Sequence, residues 1–255
     1  MSAVIGNYEV IRKIGEGGFG RTYEARHITL DERACLKQNS NLSKEDAEIL
    51  RREAKIMWNI NHYSLPVMRD FFKAPDGSYA LVMQYIDGKE LQKTIEKHKA
   101  IEPETVCWIT QRLLNALYYL NSFGVIHGDV KPGNIIVQPD IHNAVLVDYG
   151  LSSVRPRYNS KAIGYTPLFA APEVTAGKPP IPASDIYSLG LTMLFALGGD
   201  PMKKEFPADI NPKLQEFFSE MIRYNPLDRP SWDKCDLIQK LSDTRLEVFG
   251  RRNTR

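Results

Sequence analysis

The sequence predicts an α+β chain in two parts, a small antiparallel sheet with one helix followed by a larger, mainly helical part. Three observations predict it. Short β-prone runs separated by Gly, Asn, Asp and Pro fill roughly the first 85 residues. After "IDGKE" (86–90) apolar residues recur at helical rather than alternating spacing. No internal repeat or low-complexity segment interrupts either part.

The elements follow in order. Strands are expected at "YEVIRKIG", "RTYEARHI", "RACLKQ", "PVMRDFFK" and "YALVMQYI", the last two flanking "APDG", whose Pro, Asp and Gly each favour a turn. Ser43 can cap a helix over "SKEDAEILRREAKIMWNI", with Ile49, Leu50, Ile56, Met57 and Ile60 along one stripe. In the second part, "EPETVCWITQRLLNALYYLNSFG" has Pro103 in its first turn, Val106, Ile109, Leu113, Leu117 and Leu120 on one face, and Gly124 as its stop. Further helices are expected at 183–198, 212–224 and 231–242.

A chain of 255 residues suits one large domain or two lobes sharing a cleft, where ligands usually bind. A formal charge of +2, with 43% hydrophobic and 25% charged residues, implies neither a nucleic-acid footprint nor an acidic tail. The apolar run "IYSLGLTMLFALGG" from Ile186 is shorter than the ~20 residues a bilayer core requires and reads as a buried helix, so no membrane span is expected. The start lacks the charged and apolar regions of a signal peptide, and Cys35, Cys107 and Cys235 make neither a disulfide framework nor a zinc site. The expected compartment is a reducing cytoplasm. The basic end, 246–255, reads as a solvated tail.

Four stretches carry chemistry. "IGEGGFGRTY" sets Gly15, Gly17 and Gly20 between two strands, where a glycine flap can close over phosphates; a plain glycine hairpin is the alternative. Lys37 ends the apolar run "ACL", where an inward ammonium needs an anion. Glu53 lies in the apolar stripe of the first helix and is the expected partner, ahead of Glu48, which falls off the stripe, and Glu45, which suits the helix dipole. In "HGDVKPGN", Asp129 is placed to accept or orient a hydroxyl proton, Lys131 to neutralise a moving phosphoryl group and Asn134 to hold a metal ion. Asp148 in "AVLVDYG" follows a buried strand and precedes a turn, which suits a second oxygen ligand for Mg²⁺. Taken singly, either acid is more often a turn-former or a cap.

The ordered set resembles the eukaryotic-type Ser/Thr protein kinases, most like bacterial members, from about Tyr8 to Leu241. The resemblance implies their bilobal fold, with a first lobe over about 8–84, a hinge over 84–88 and a second lobe over 89–245. It also implies ATP and Mg²⁺ as cofactors and proteins phosphorylated on Ser or Thr as partners. "TPLFAAPE" resembles the family's substrate-docking segment, "SDIYSLG" its central-helix motif and "NPLDRPS" its closing Arg motif. By resemblance Glu173 pairs with Arg229, and Asp185 braces the catalytic loop. Met83 becomes the gatekeeper, the Gln84 and Ile86 backbone reads adenine, Glu90 faces the ribose, and Thr22, Cys35 and Ile136 belong to the nucleotide site. Thr166 would help set the acceptor pocket. The segment Gly190–Arg229 looks short for the family.

Four positions depart from the family pattern: Thr22 for Val, Cys35 for Ala, Tyr149 for Phe and Gly128 for Arg. The first three keep a comparable volume. The Arg usually found at position 128 receives a phosphate on the activation segment. Its absence implies activity without that phosphate, or only a tight turn at Gly128. His-Gly-Asp also occurs in small-molecule kinases of the aminoglycoside and choline type, which stay as the alternative beside an ATP-binding scaffold without activity. Lys131, Thr166 and Ala-Pro-Glu favour the protein kinase. Substrate protein, pathway and oligomeric state are not legible.

Overall fold

The computed structural model describes residues 3–17, 20–39 and 42–252. The chain divides into two compact units, Met1–Asp87 and Gly88–Arg255. The first holds strands β1 (Val4–Ile5), β2 (Tyr8–Gly17), β3 (Gly20–His27) and β4 (Arg33–Gln38), helix α1 (Lys44–Met57), and strands β5 (Met68–Lys73) and β6 (Tyr79–Gln84). The strands form one antiparallel sheet in the order β1-β2-β3-β4-β6-β5. All five expected strands are present; β1, two residues long, carries no alternation by which a sequence could announce it.

Register decides what each sheet face carries. Gly15, Thr22, Lys37 and Leu81 are successive cross-strand partners, and Glu24, Cys35 and Met83 form the next such row. Partners share a face, as do residues two apart, so Thr22, Cys35, Lys37 and Met83 stand on one side. The other side packs Ala25, Ala34, Leu36, Ala80 and Val82 around Tyr8 as an apolar core. Ser43 caps α1 as expected, its hydroxyl accepting the Asp46 N–H at 3.1 Å. The helix ends at Met57, and Ile60 is buried in the turn that follows rather than along the helix.

The second unit begins with β7 (Lys89–Glu90), α2 (Leu91–His98), α3 (Pro103–Ser122) and β8 (Val125–Ile126). It continues through β9 (Ile135–Gln138), β10 (Asn143–Leu146), β11 (Ser153–Val154) and α4 (Pro172–Thr175). Helices α5 (Pro182–Ala196), α6 (Pro212–Met221) and α7 (Leu237–Phe249) complete it. β10-β9-β7 and β11-β8 form two small antiparallel sheets. The apolar run from Ile186 becomes α5, buried on nearly every side and packed between α3 and α6; no described helix is long and apolar enough to cross a membrane.

The helix expected at 231–242 instead starts at Leu237, because Asp236 accepts the N–H groups of Ile238 and Gln239 and so sets the cap there. It runs to Phe249, so a tail from residue 246 is too long. Arg251 beyond it pairs with Glu104, and residues 253–255 lie outside the described ones.

Arg229 and Glu173 lock this unit. The two N–H groups of the guanidinium fork meet the carboxylate at 2.7 and 2.8 Å, and the remaining donors reach the carbonyls of Ala183, Arg223 and Tyr224. Burial would raise the Glu173 pKa, but Arg229 and the Ser184 hydroxyl hold it below its ordinary 4.5. Arg229→Ala, which strands a buried carboxylate, is expected to lower unfolding free energy by about 3–5 kcal/mol in urea titration. Since the folded pKa of Glu173 is depressed, its ionic contribution is complete above pH 4.5 and lost as pH falls further, so the gap between wild type and variant narrows in acid. A gap that stays constant down to pH 3 would contradict the assignment.

Candidate active site

Strand β4 and helix α1 bring Lys37 and Glu53 together. The Lys37 ammonium stands 2.7 and 3.0 Å from the two carboxylate oxygens, and both side chains are buried. The rival acids are accounted for: Glu48 pairs with Arg51 at the surface, and Glu45 lies exposed in the first turn. The glycine stretch is a hairpin in which Gly17 pairs with Gly20, its tip at 18–19 lying outside the described residues. Gly20 has φ +145°, and a Cβ there would sit 2.4 Å from the Gln38 carbonyl oxygen, so no other residue fits without moving β4. Among the described residues a Cβ on Gly17 would meet nothing within 4 Å and one on Gly15 only Thr22.

Of the other residues expected at a nucleotide in the first unit, Thr22, Cys35 and Met83 share the Lys37 face of the sheet. Met83 and Ile86 are buried, Cys35 is half-buried, and Gln84 is exposed with its N–H donated to the Val67 carbonyl. In the second unit, Glu90 and Ile136 are direct partners across β7 and β9.

The loop between β8 and β9 gathers Asp129, Lys131 and Asn134 with Thr166. Thr166 donates its hydroxyl to Asp129 Oδ1 at 2.6 Å and accepts from Lys131 Nζ at 2.9 Å, while Lys131 lies 2.6 Å from Asp129 Oδ2. Asn134 Nδ2 donates to the Asp129 carboxylate and to its carbonyl, both at 2.9 Å. The ring is closed: a carboxylate with a cation on one oxygen and a hydroxyl on the other. The Thr166 hydroxyl thus sits within hydrogen-bond reach of Asp129, the kind of geometry that removing a hydroxyl proton requires.

Asp148 lies just past β10, held beside this loop by the Val147 N–H bonded to the Asn134 carbonyl. Its φ is +70°, and its carboxylate accepts the Gly150 N–H at 3.1 Å. The donor set fits Mg²⁺. Because Asn134 Nδ2 is given to Asp129, its Oδ1 is left as a hard oxygen donor, and Asp148 offers a carboxylate of the same kind. No cluster of three His, Cys, Asp or Glu exists among the described residues, and Mg²⁺ bound with substrate phosphates needs only one or two carboxylates.

Helix α5 holds the loop from behind. Asp185 accepts the N–H groups of His127 and Gly128 at 2.7 and 2.9 Å, and Thr192, seven residues on and on the same helix face, has its hydroxyl 2.7 Å from the Ser188 carbonyl and 3.3 Å from the Val130 carbonyl. Burial pushes the Asp185 carboxyl up to about 7 against the pull of those two donors. Burial also drives His127 down to about 4, so it stays neutral and accepts the Asp129 N–H on Nδ1 while packing on the buried Tyr149 ring. Thr192 and the neutral His127 had no expected role; the available signal was a set of polar residues, Ser184, Asp185, Ser188 and Thr192, within the apolar run of α5. Also unexpected is Ser152, fully buried with its hydroxyl donated to the His127 carbonyl.

Gly128 adopts φ +80°, and a Cβ there would lie 2.7 Å from the Leu151 carbonyl oxygen. The tight-turn reading of this glycine is therefore satisfied by the backbone alone.

The chain matches the protein kinase domain family over residues 8–206. It is 28% identical to the hormonally up-regulated neu tumor-associated kinase homolog of Xenopus tropicalis over 271 residues, 94% of this chain and 38% of that protein. It is 28% identical to Aurora kinase C of Mus musculus over 249 residues, 89% of this chain and 88% of the relative. It is 27% identical to the serine/threonine-protein kinase pkn3 of Myxococcus xanthus over 259 residues, 88% and 47% of the two chains. The chain thus spans little more than a third of the length of the first of these relatives.

Gly128→Ala places a side chain in a left-handed conformation and against a carbonyl, and is expected to cost about 1–2 kcal/mol of stability or more. An unchanged midpoint in urea unfolding would show that the loop adapts freely.

Proposed function

This chain belongs to the protein kinase family, and on that premise we propose that it is an ATP- and Mg²⁺-dependent kinase acting on serine and threonine of proteins. The closed arrangement of Asp129, Lys131 and Thr166 carries the reading. Asp129 takes the proton of the substrate hydroxyl, whose oxygen bonds to the γ-phosphorus as the bond to ADP breaks. Lys131, already on Asp129 Oδ2, neutralises charge on the transferring group, and Thr166 marks where a hydroxyl rests. Asp148 and Asn134 hold Mg²⁺, which when bound offsets phosphate charge. Lys37, fixed by Glu53, contacts phosphate; Gly15, Gly17 and Gly20 cover it; Thr22, Cys35, Met83, Gln84, Ile86, Glu90 and Ile136 contact the nucleoside.

The small-molecule alternative is disfavoured by Lys131, by Thr166 and by the Ala-Pro-Glu motif to which Thr166 leads. Lys37→Ala and Asp148→Ala, folded normally, are expected to lower phosphate transfer on the order of 10²-fold or more. Labelled ATP offered with generic proteins, aminoglycosides and choline, with Asp129→Asn as control, is expected to label protein Ser and Thr. Transfer to small molecules alone, or chiefly to Tyr, would overturn the assignment.

We further propose that activity does not require phosphate on the activation segment. Supporting this, the segment is fastened without one, through β11 on β8, Ser152 on the His127 carbonyl and Thr166 on Asp129. The segment offers Ser152, Ser153, Tyr158 and Ser160 as acceptors by residue type; Ser152 is fully buried, which leaves the other three, with Arg155 and Arg157 as the cations a phosphate would meet. Phosphatase-treated enzyme and the Ser153→Ala, Tyr158→Phe, Ser160→Ala variant are expected to keep activity within about tenfold, or roughly 1.4 kcal/mol. A larger loss would mean that phosphate orders the segment.

A further inference from the structure

The second unit contains a cavity of about 360 Å³, in the ~300–1,000 Å³ range of small-ligand sites, behind the sheet that carries Glu90 and Ile136. Its walls are apolar: Leu91 from α2, Trp108 and Ile109 from α3, and Val137 from β9, all shielded from bulk water. Register explains how one strand serves two surfaces. Lys89 pairs with Val137 and Glu90 with Ile136, so the first pair faces the cavity and the second faces away from it.

The polar lining is one-sided in charge. Lys89, Lys97, His98 and His142 contribute to it, and no Asp or Glu among the described residues does. Of the acids close by in sequence, Glu90 pairs with Lys93, Glu96 with Gln92 and Glu104 with Arg251, while Glu102 caps α3 by accepting the Thr105 N–H at 2.8 Å. Asp140 stands exposed on the turn after Pro139. Neither Lys89 nor Lys97 forms an ion pair among the described residues, so the rim presents uncompensated positive charge over an apolar, partly aromatic interior.

We propose that this cavity binds an amphipathic monoanion, a carboxylate on an aryl or medium-chain alkyl body, with the body against Trp108 and Val137 and the carboxylate at Lys89 and Lys97. The site is separate from the residues assigned to nucleotide and acceptor, and binding is independent of whether phosphate transfer is as proposed.

Calorimetric titration of the whole chain with decanoate and with naphthylacetate distinguishes the two body types, and Trp108 fluorescence reports the place. At least one of the two is expected to bind saturably with a change in emission that Trp108→Phe removes while calorimetric binding remains. The paired changes Lys89→Glu and Lys97→Glu, at exposed positions that form no ion pair among the described residues, are expected to weaken binding by about tenfold or more while leaving the melting temperature of the free protein unchanged. Decanol and naphthylmethanol, which lack the charge, are expected to bind more weakly by a similar factor. The proposal is overturned if neither acid saturates, if the charge-reversed variant or the alcohols bind equally well, or if the emission change survives in Trp108→Phe. Binding of an acidic, apolar peptide in place of both acids would overturn it too, in favour of a protein-docking groove.

Discussion

The carboxylate of Asp185 is the constraint on which the loop between β8 and β9 depends. Two successive backbone N–H groups, those of His127 and Gly128, point at one buried acid on a helix that is itself packed on nearly every side. A loop with a glycine at φ +80° and Asp129 one residue further on has few ways to hold its shape by local preference, so its geometry is imposed from α5. The ring of Asp129, Lys131 and Thr166 can then close without any of its members having to find its own position.

How far the sequence could be read follows from how local each determinant is. The five main strands and α1 were legible because turn residues, a serine cap and apolar periodicity are written into adjacent positions. Lys37 with Glu53 was legible for a different reason: each was a charge in an apolar pattern, and a buried charge implies a partner. The two-residue strands β8 and β11 were not, since they exist only because distant segments meet. The start of α7 was misplaced because one aspartate cap outweighed the helical look of residues 231–236, and the buried hydrogen bond of Ser152 depends on a carbonyl 25 residues away that no spacing rule encodes.

The same loop shows that one residue can answer to two pressures. Gly128 stands where the resemblance would place an arginine, and it also relieves a backbone that would press a side chain on the Leu151 carbonyl. The segment beyond it is tied by hydroxyls and main-chain groups, at Ser152, at β11 and at Thr166, with Lys131 as the ammonium at that last point. Contacts of that kind are short-ranged and weakly sensitive to ionic strength, unlike an ordering device built from phosphate and arginine.

Arg229 uses all five of its N–H donors, and their acceptors come from three stretches: Glu173, Ala183 and the pair Arg223–Tyr224. Such a residue works as a keystone. It fixes where the chain must return while leaving the path between those points open, so the stretch from Gly190 to Arg229 can lengthen or shorten over evolutionary time as long as its end still arrives at Glu173. Length variation in this part of the molecule is thereby made compatible with an unchanged catalytic loop.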